Sequence, residues 1–132
     1  MNIQTNKYAA VLIELNTTNK DTERAEIVKA VPGAAGVAET VGAYKGQENR
    51  SWLVLLKLNH EAEQIQRLIE LARVYRQESI LVVDEDRKAS LVYMEDERQV
   101  DLGTLVAVDE KTAKMQDAWT YAPHNSTYYI AK

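Results

Sequence analysis

The sequence predicts an α+β fold of the ferredoxin-like, split β-α-β kind: an antiparallel sheet with two helices on one face and extra C-terminal strands. Three observations predict it. Two stretches of helical periodicity alternate with short apolar, β-branched runs in the order β-α-β-β-α-β. The 132 residues suffice for one domain with one core. Apolar residues make up 45% and charged residues 27%, which favours neither a disordered nor a membrane class. Residues 1–132 are therefore read as a single α/β-sandwich domain with an extended aromatic tail from about residue 110.

The first strand is Tyr8-Ala9-Ala10-Val11-Leu12-Ile13-Glu14-Leu15, a β-branched run that ends at Asn16-Thr17-Thr18-Asn19. Asn19 suits a helix N-cap, with Asp21 and Glu23 in the first turn and Arg24, Ile27, Val28 and Val31 at helical spacing. Pro32-Gly33 stops that helix. Residues 36–44 and 51–58 read as the next two strands, the second carrying Trp52, Val54, Leu56 and Leu58 on one face. Lys45-Gly46-Gln47-Glu48-Asn49-Arg50 between them has the polar, glycine-containing composition of a hairpin loop. Asn59 is placed to cap the strongest helix, whose stripe is Ala62, Ile65, Leu68, Ile69, Ala72 and Tyr75, with Glu61 and Glu63 early and Arg73 and Arg76 late. A buried strand over 78–84 follows, then a charged turn and weaker strands at 90–94 and 105–108.

Leu53 and Leu55 lie opposite the Trp52 set, so the uncovered sheet face is expected to meet another subunit. The tail from Asp117 to Tyr129 reads as an aromatic loop that wraps a neighbour or lies on the surface.

No apolar run approaches the roughly 20 residues needed to span a bilayer, and the polar start lacks a signal-peptide core, so a cytosolic protein is expected. The absence of cysteine removes disulfides, thiolate nucleophiles and cysteine-ligated metal sites. A formal charge of −4 and interleaved charges argue against nucleic-acid binding. Neither GxGxxG nor a Walker A motif occurs, and Pro32-Gly33-Ala34-Ala35-Gly36 follows a helix rather than a strand. His60 and His124 have no carboxylate at metal-ligand spacing, so no metal or cofactor is expected. Tyr44 and Glu48 attract more interest, because a hairpin end can bring a phenol and a carboxylate together to grip an amine. Composition alone favours the plainer reading, an edge-packed tyrosine and a solubilising glutamate.

Residues from about 31 to 93 carry Val31-Pro32-Gly33 with Gly36 and Glu39-Thr40, then Gly42-Ala43-Tyr44-Lys45-Gly46 with Glu48. Beyond the second helix come Arg76-Gln77-Glu78-Ser79-Ile80-Leu81-Val82 and Leu91-Val92-Tyr93. In this order and spacing the chain resembles the phage S-adenosylmethionine lyases, long described as hydrolases. The resemblance implies a PII-like α/β sandwich, a homo-oligomer that is a trimer with active sites between subunits, and no cofactor. It also implies cleavage of S-adenosylmethionine to 5'-methylthioadenosine and L-homoserine lactone in the cytoplasm of an infected bacterial host, countering restriction-modification. On it, Tyr44 and Glu48 are the catalytic candidates, and Gln77 and Glu78 either bind substrate or only begin a strand. The loop between Tyr44 and Glu48 is shorter than in some relatives, which leaves Glu78 as the alternative carboxylate.

The substrate's own carboxylate can reach the carbon bearing the sulfonium, so such an enzyme needs mainly to fold its substrate. The alternative is a non-enzymatic, PII-like trimer that binds a nucleotide or partner protein through the hairpin loop. A third reading is a protein that blocks a host defence protein directly.

Overall fold

The computed structural model describes residues 8–132. The polar start at 1–7, weighed above for a signal peptide, lies outside the described residues. The strands are β1 (Tyr8–Ile13), β2 (Gly36–Tyr44), β3 (Gln47–Leu55), β4 (Ser79–Asp84), β5 (Lys88–Tyr93), β6 (Gln99–Val108), β7 (Ala118–Ala122) and β8 (Thr127–Ala131). The helices are α1 (Lys20–Ala30), α2 (Glu61–Val74) and α3 (Glu110–Lys114). Every neighbouring pair is antiparallel, and the order β1-β3-β2-β7-β8-β6-β5-β4 returns to β1, closing a barrel.

This barrel corrects the expected α+β sandwich, in both its ferredoxin-like and PII-like forms, with an antiparallel sheet and two helices on one face. The physical reason lies in the aromatic segment read as a loop. Trp119, Thr120 and Tyr121, then Thr127, Tyr128, Tyr129 and Ile130, are aromatic or β-branched residues suited to a pleated surface. A turn over 123–126, with Ser126 at φ 54, folds them into a hairpin. β7 pairs with β2 (Val41↔Tyr121, Ala43↔Trp119) and β8 with β6 (Val106↔Ile130), so two edges that an open sheet would expose are both paired. β6 also runs further than expected. It accommodates a register shift near Gly103, whose φ of 97 and approach to the Lys132 backbone, 2.7 Å from any added Cβ, demand glycine.

Asn19 caps α1 as the sequence predicts, its side chain accepting from the backbone N–H of Asp21 and Thr22. Asn59 does not cap α2. It takes φ 70, and His60 holds the cap position without a side-chain bond. The α2 stripe Ile65, Leu68, Ile69 and Ala72 is buried, together with Ile27 of α1, against Val11, Ile13, Trp52, Val54, Ile80, Val82 and Val92 from β1, β3, β4 and β5. Directly paired strand residues share a face and successive ones alternate. The same strands therefore turn Leu12, Leu53, Leu81 and Leu91 to the opposite face, where all four remain only partly buried and Leu55 is 44% exposed. Among the described residues no helix is long and apolar enough to cross a membrane.

Ile130 on β8 is buried against β6 and tests the closure. Ile130→Asp places an uncompensated charge there and is expected to cost about 3 kcal/mol, lowering the melting midpoint by roughly 10 °C in a thermal denaturation followed by circular dichroism.

Candidate active site at the β2–β3 hairpin

Lys45 and Gly46 make a two-residue turn with φ of 49 and 81, the left-handed pair that matches strand twist in tight hairpins. The loop is therefore shorter than the sequence suggests, and Glu48, Asn49 and Arg50 belong to β3. Tyr44 pairs with Gln47, and Ala43 pairs with Glu48. Because directly paired residues share a face, Tyr44 and Glu48 project from opposite faces of the ribbon. One chain does not bring them to one spot. Tyr44 is 62% exposed and Glu48 is exposed too.

Glu48 lines an open cleft of about 380 Å³ with Asn16, Thr17, Glu23, Gln47, Asn49 and Arg50; Tyr44 is not part of its wall. Asn16, at φ 57, turns the chain out of β1 over the hairpin. The floor is held by Glu23, a carboxylate only 1% exposed. Trp52 Nε1 donates to one of its oxygens at 2.8 Å; the backbone N–H and Oγ1 of Thr17 donate to the other at 2.8 and 2.7 Å. Arg50 Nη1 stands 3.3 Å from that second oxygen, and its Nε is 3.7 Å from Glu39. Burial pushes the Glu23 carboxyl upward, but the hydrogen bonds from Trp52 and Thr17 and the charge of Arg50 outweigh it and hold the group below its ordinary 4.5. In the sequence Glu23 stands out only as a first-turn acid of α1. The available signal was Trp52, a core indole whose N–H requires an acceptor.

Glu14, just past the end of β1, behaves differently. Leu15 turns into the core, so Glu14 turns to the Gly42 and Ser51 side, where a Cβ on Gly42 would stand 3.3 Å from Glu14 Oε1 and 3.5 Å from Ser51 Oγ. The glycine of the Gly-Ala-Tyr-Lys-Gly stretch leaves room for this carboxylate. Burial, then the charge of Glu23, raise its carboxyl above 4.5. No pattern in the sequence marks Glu14.

Gln77 and Glu78 stand at the start of β4. Arg76 takes φ 57, Gln77 Nε2 donates to the Tyr75 carbonyl, and the Glu78 carbonyl accepts from Met94 N–H. Leu12 is the common partner of Leu53 and Leu81, so β3 and β4 flank β1 in parallel and level. Glu78 therefore enters at the same end of the barrel as Arg50, about 10 Å away across two strand spacings. Neither Gln77 nor Glu78 lines the cleft. Among the described residues no group of three or more His, Cys, Asp or Glu stands close enough to hold a metal ion.

The two carboxylates make opposite pH predictions. The stability that Glu23 contributes is complete above pH 4.5 and is lost as pH falls through its depressed folded value. The contribution of Glu14 is complete below pH 4.5 and is lost as pH rises through its raised value. In melting curves from about pH 3 to pH 8, Glu23→Gln is expected to remove part of the acid-side decline. Glu14→Gln is expected to melt above the wild type at neutral pH and to converge with it below pH 4.5. Trp52→Phe, which removes one donor from a buried carboxylate, is expected to cost about 1–3 kcal/mol in the same assay.

No curated protein gives a match to the sequence. A family model, the S-Adenosylmethionine lyase family, matches residues 9–132, which spans the barrel, the cleft and the closing hairpin. The chain thus belongs to the S-adenosylmethionine lyase family.

Proposed function

We propose that this protein cleaves S-adenosylmethionine to 5'-methylthioadenosine and L-homoserine lactone. The observation that carries the reading is the family match over 9–132. In the step, a carboxylate oxygen of the substrate forms a bond to its own γ-carbon while the carbon–sulfur bond breaks. The bonding pair leaves with sulfur, so a neutral thioether and a lactone result. Nucleophile and leaving group arrive in one molecule, and no water, protein base or nucleophile enters the balance. Negative and positive charge cancel as the bond forms, so a site that excludes water from the carboxylate favours the transition state. Holding the ring-closing pose is worth about 7–11 kcal/mol in the best intramolecular cases. The reaction needs little else from the protein.

In this reading Glu48 accepts hydrogen bonds from the substrate ammonium, and Tyr44 holds the amino-acid end in its ring-closing pose. Gln77 and Glu78 line the approach from the same end of the barrel. Since Tyr44 and Glu48 face opposite ways in one chain, a complete site takes Tyr44 from one copy and Glu48 from another. We take such an assembly to be a trimer. Depleting the methyl donor in the host cytoplasm would make this a phage counter-measure against restriction-modification.

Chromatography of S-adenosylmethionine incubated with pure protein, with NMR of the fresh mixture, should show methylthioadenosine and lactone; intact substrate would overturn the reading. Tyr44→Phe and Glu48→Gln are each expected to lower kcat/KM at least about tenfold. Wild-type turnover by both removes them from the mechanism. Refolding the two variants together in equal amounts should restore activity at about a quarter of the sites, those that draw each wild-type residue from a different copy.

A further inference from the structure

Glu14 is a carboxylate without a counter-charge. It is half-buried, yet it has no hydrogen bond or ion pair among the described residues, and the charge nearest in effect is another carboxylate, Glu23 on α1. Among the described residues no cation pairs with Glu14, although the Lys45 ammonium lies 5.4 Å over the Tyr44 ring at the hairpin turn. On β2 the surrounding face presents Thr40, Gly42 and Tyr44, on β3 Asn49 and Ser51, and on β4 Ser79. Arg98, stacked 4.6 Å over the Tyr93 ring of β5, stands two strands from β1. The hydroxyls of Thr40 and Ser51 are buried and bond each other at 2.6 Å. A half-buried carboxylate left in this state loses part of its hydration without compensation, which is stabilised when a cation arrives.

The residue that recognises such a cation would have to share a face with it. Gly42 lies under Glu14 Oε1, and Tyr44 is the next residue on that face, about 7 Å further along the strand. We propose that Glu14 is a substrate-binding residue whose carboxylate takes a positive centre of the ligand beside Tyr44, on the face opposite Glu48. This rests on the proposed function, in which the substrate carries two such centres, an ammonium and a sulfonium.

The two centres are distinguishable kinetically. The ammonium keeps its charge through the reaction, so a contact to it binds ground and transition states alike and its loss raises KM alone. The sulfonium loses its charge, so a carboxylate beside it holds back the step, and removing that contact raises both KM and kcat. Glu14→Gln is expected to raise KM for S-adenosylmethionine about tenfold. Unchanged kcat assigns the ammonium, and increased kcat assigns the sulfonium. Gly42→Ala, whose new Cβ meets Glu14 Oε1 at 3.3 Å, should raise KM in the same direction by displacing the carboxylate.

A second measurement separates this proposal from the reaction. The Glu14 carboxyl is titrated by carbon-13 NMR with methylammonium or trimethylsulfonium chloride against sodium chloride at equal ionic strength. Either organic cation should lower the midpoint relative to sodium. If the wild type leaves S-adenosylmethionine intact but the midpoint falls, the function reading fails and the cation site stands. If turnover occurs while KM of the folded Glu14→Gln protein is unchanged, the proposal is overturned. Without turnover, a midpoint that no organic cation moves overturns it as well.

Discussion

The two-residue turn at Lys45-Gly46 sets the register on which the rest of the candidate site depends. A strand alternates its side chains with a period of two, so a slip of one residue in the pairing would send every side chain of β3 to the other face. With Tyr44 opposite Gln47, the residues Glu48, Arg50, Trp52 and Val54 fall together on the helix side of the sheet. Thr40, Gly42, Tyr44 and Ser51 fall on the other. Trp52 can then meet the α1 carboxylate, and Glu48 can line the cleft, because both obey one alternation.

Two glutamates near this hairpin show how burial and compensation act separately. Glu23 is almost entirely buried and ionises readily, because four groups supply hydrogen bonds or charge to its oxygens. Glu14 is less buried yet resists ionisation, because nothing among the described residues offsets its lost hydration. Binding the Thr17 loop to Trp52 and Arg50 through Glu23 ties the exit of β1 to the start of β3. The walls of the cleft are therefore joined by a structural ion pair, while the uncompensated charge stands on the far face.

The sequence lacks the usual nucleophiles and phosphate loops, which fits the proposed reaction, in which the substrate would carry its own nucleophile. In that proposal placement is the protein's main contribution, and placement depends on register and strand ends. Such a site leaves only a faint trace in a sequence. Gly42-Ala43-Tyr44-Lys45-Gly46 is short, and its parts acquire meaning only from position: Gly42 under Glu14, and Lys45-Gly46 as the turn that sets the faces.

Local pattern was sufficient for much of the chain. The apolar run of β1, the Asn19 cap, the α2 stripe and the strand before Asp84 could all be read directly, because each is set by neighbours within a few residues. Composition likewise removed cysteine chemistry, and the motif order pointed to the family that the match over 9–132 bears out. Sheet closure could not be read this way. Whether Trp119 to Ile130 forms a loop or a hairpin depends on the free edges of β2 and β6, which lie far away in sequence. The separation of Tyr44 from Glu48 turned on one turn geometry, and the partners of Glu23 and Glu14 come from elements distant along the chain. Periodicity reports which side of an element is apolar, but only the closed barrel decides which polar groups meet there, because their desolvation and pairing are set by long-range contacts.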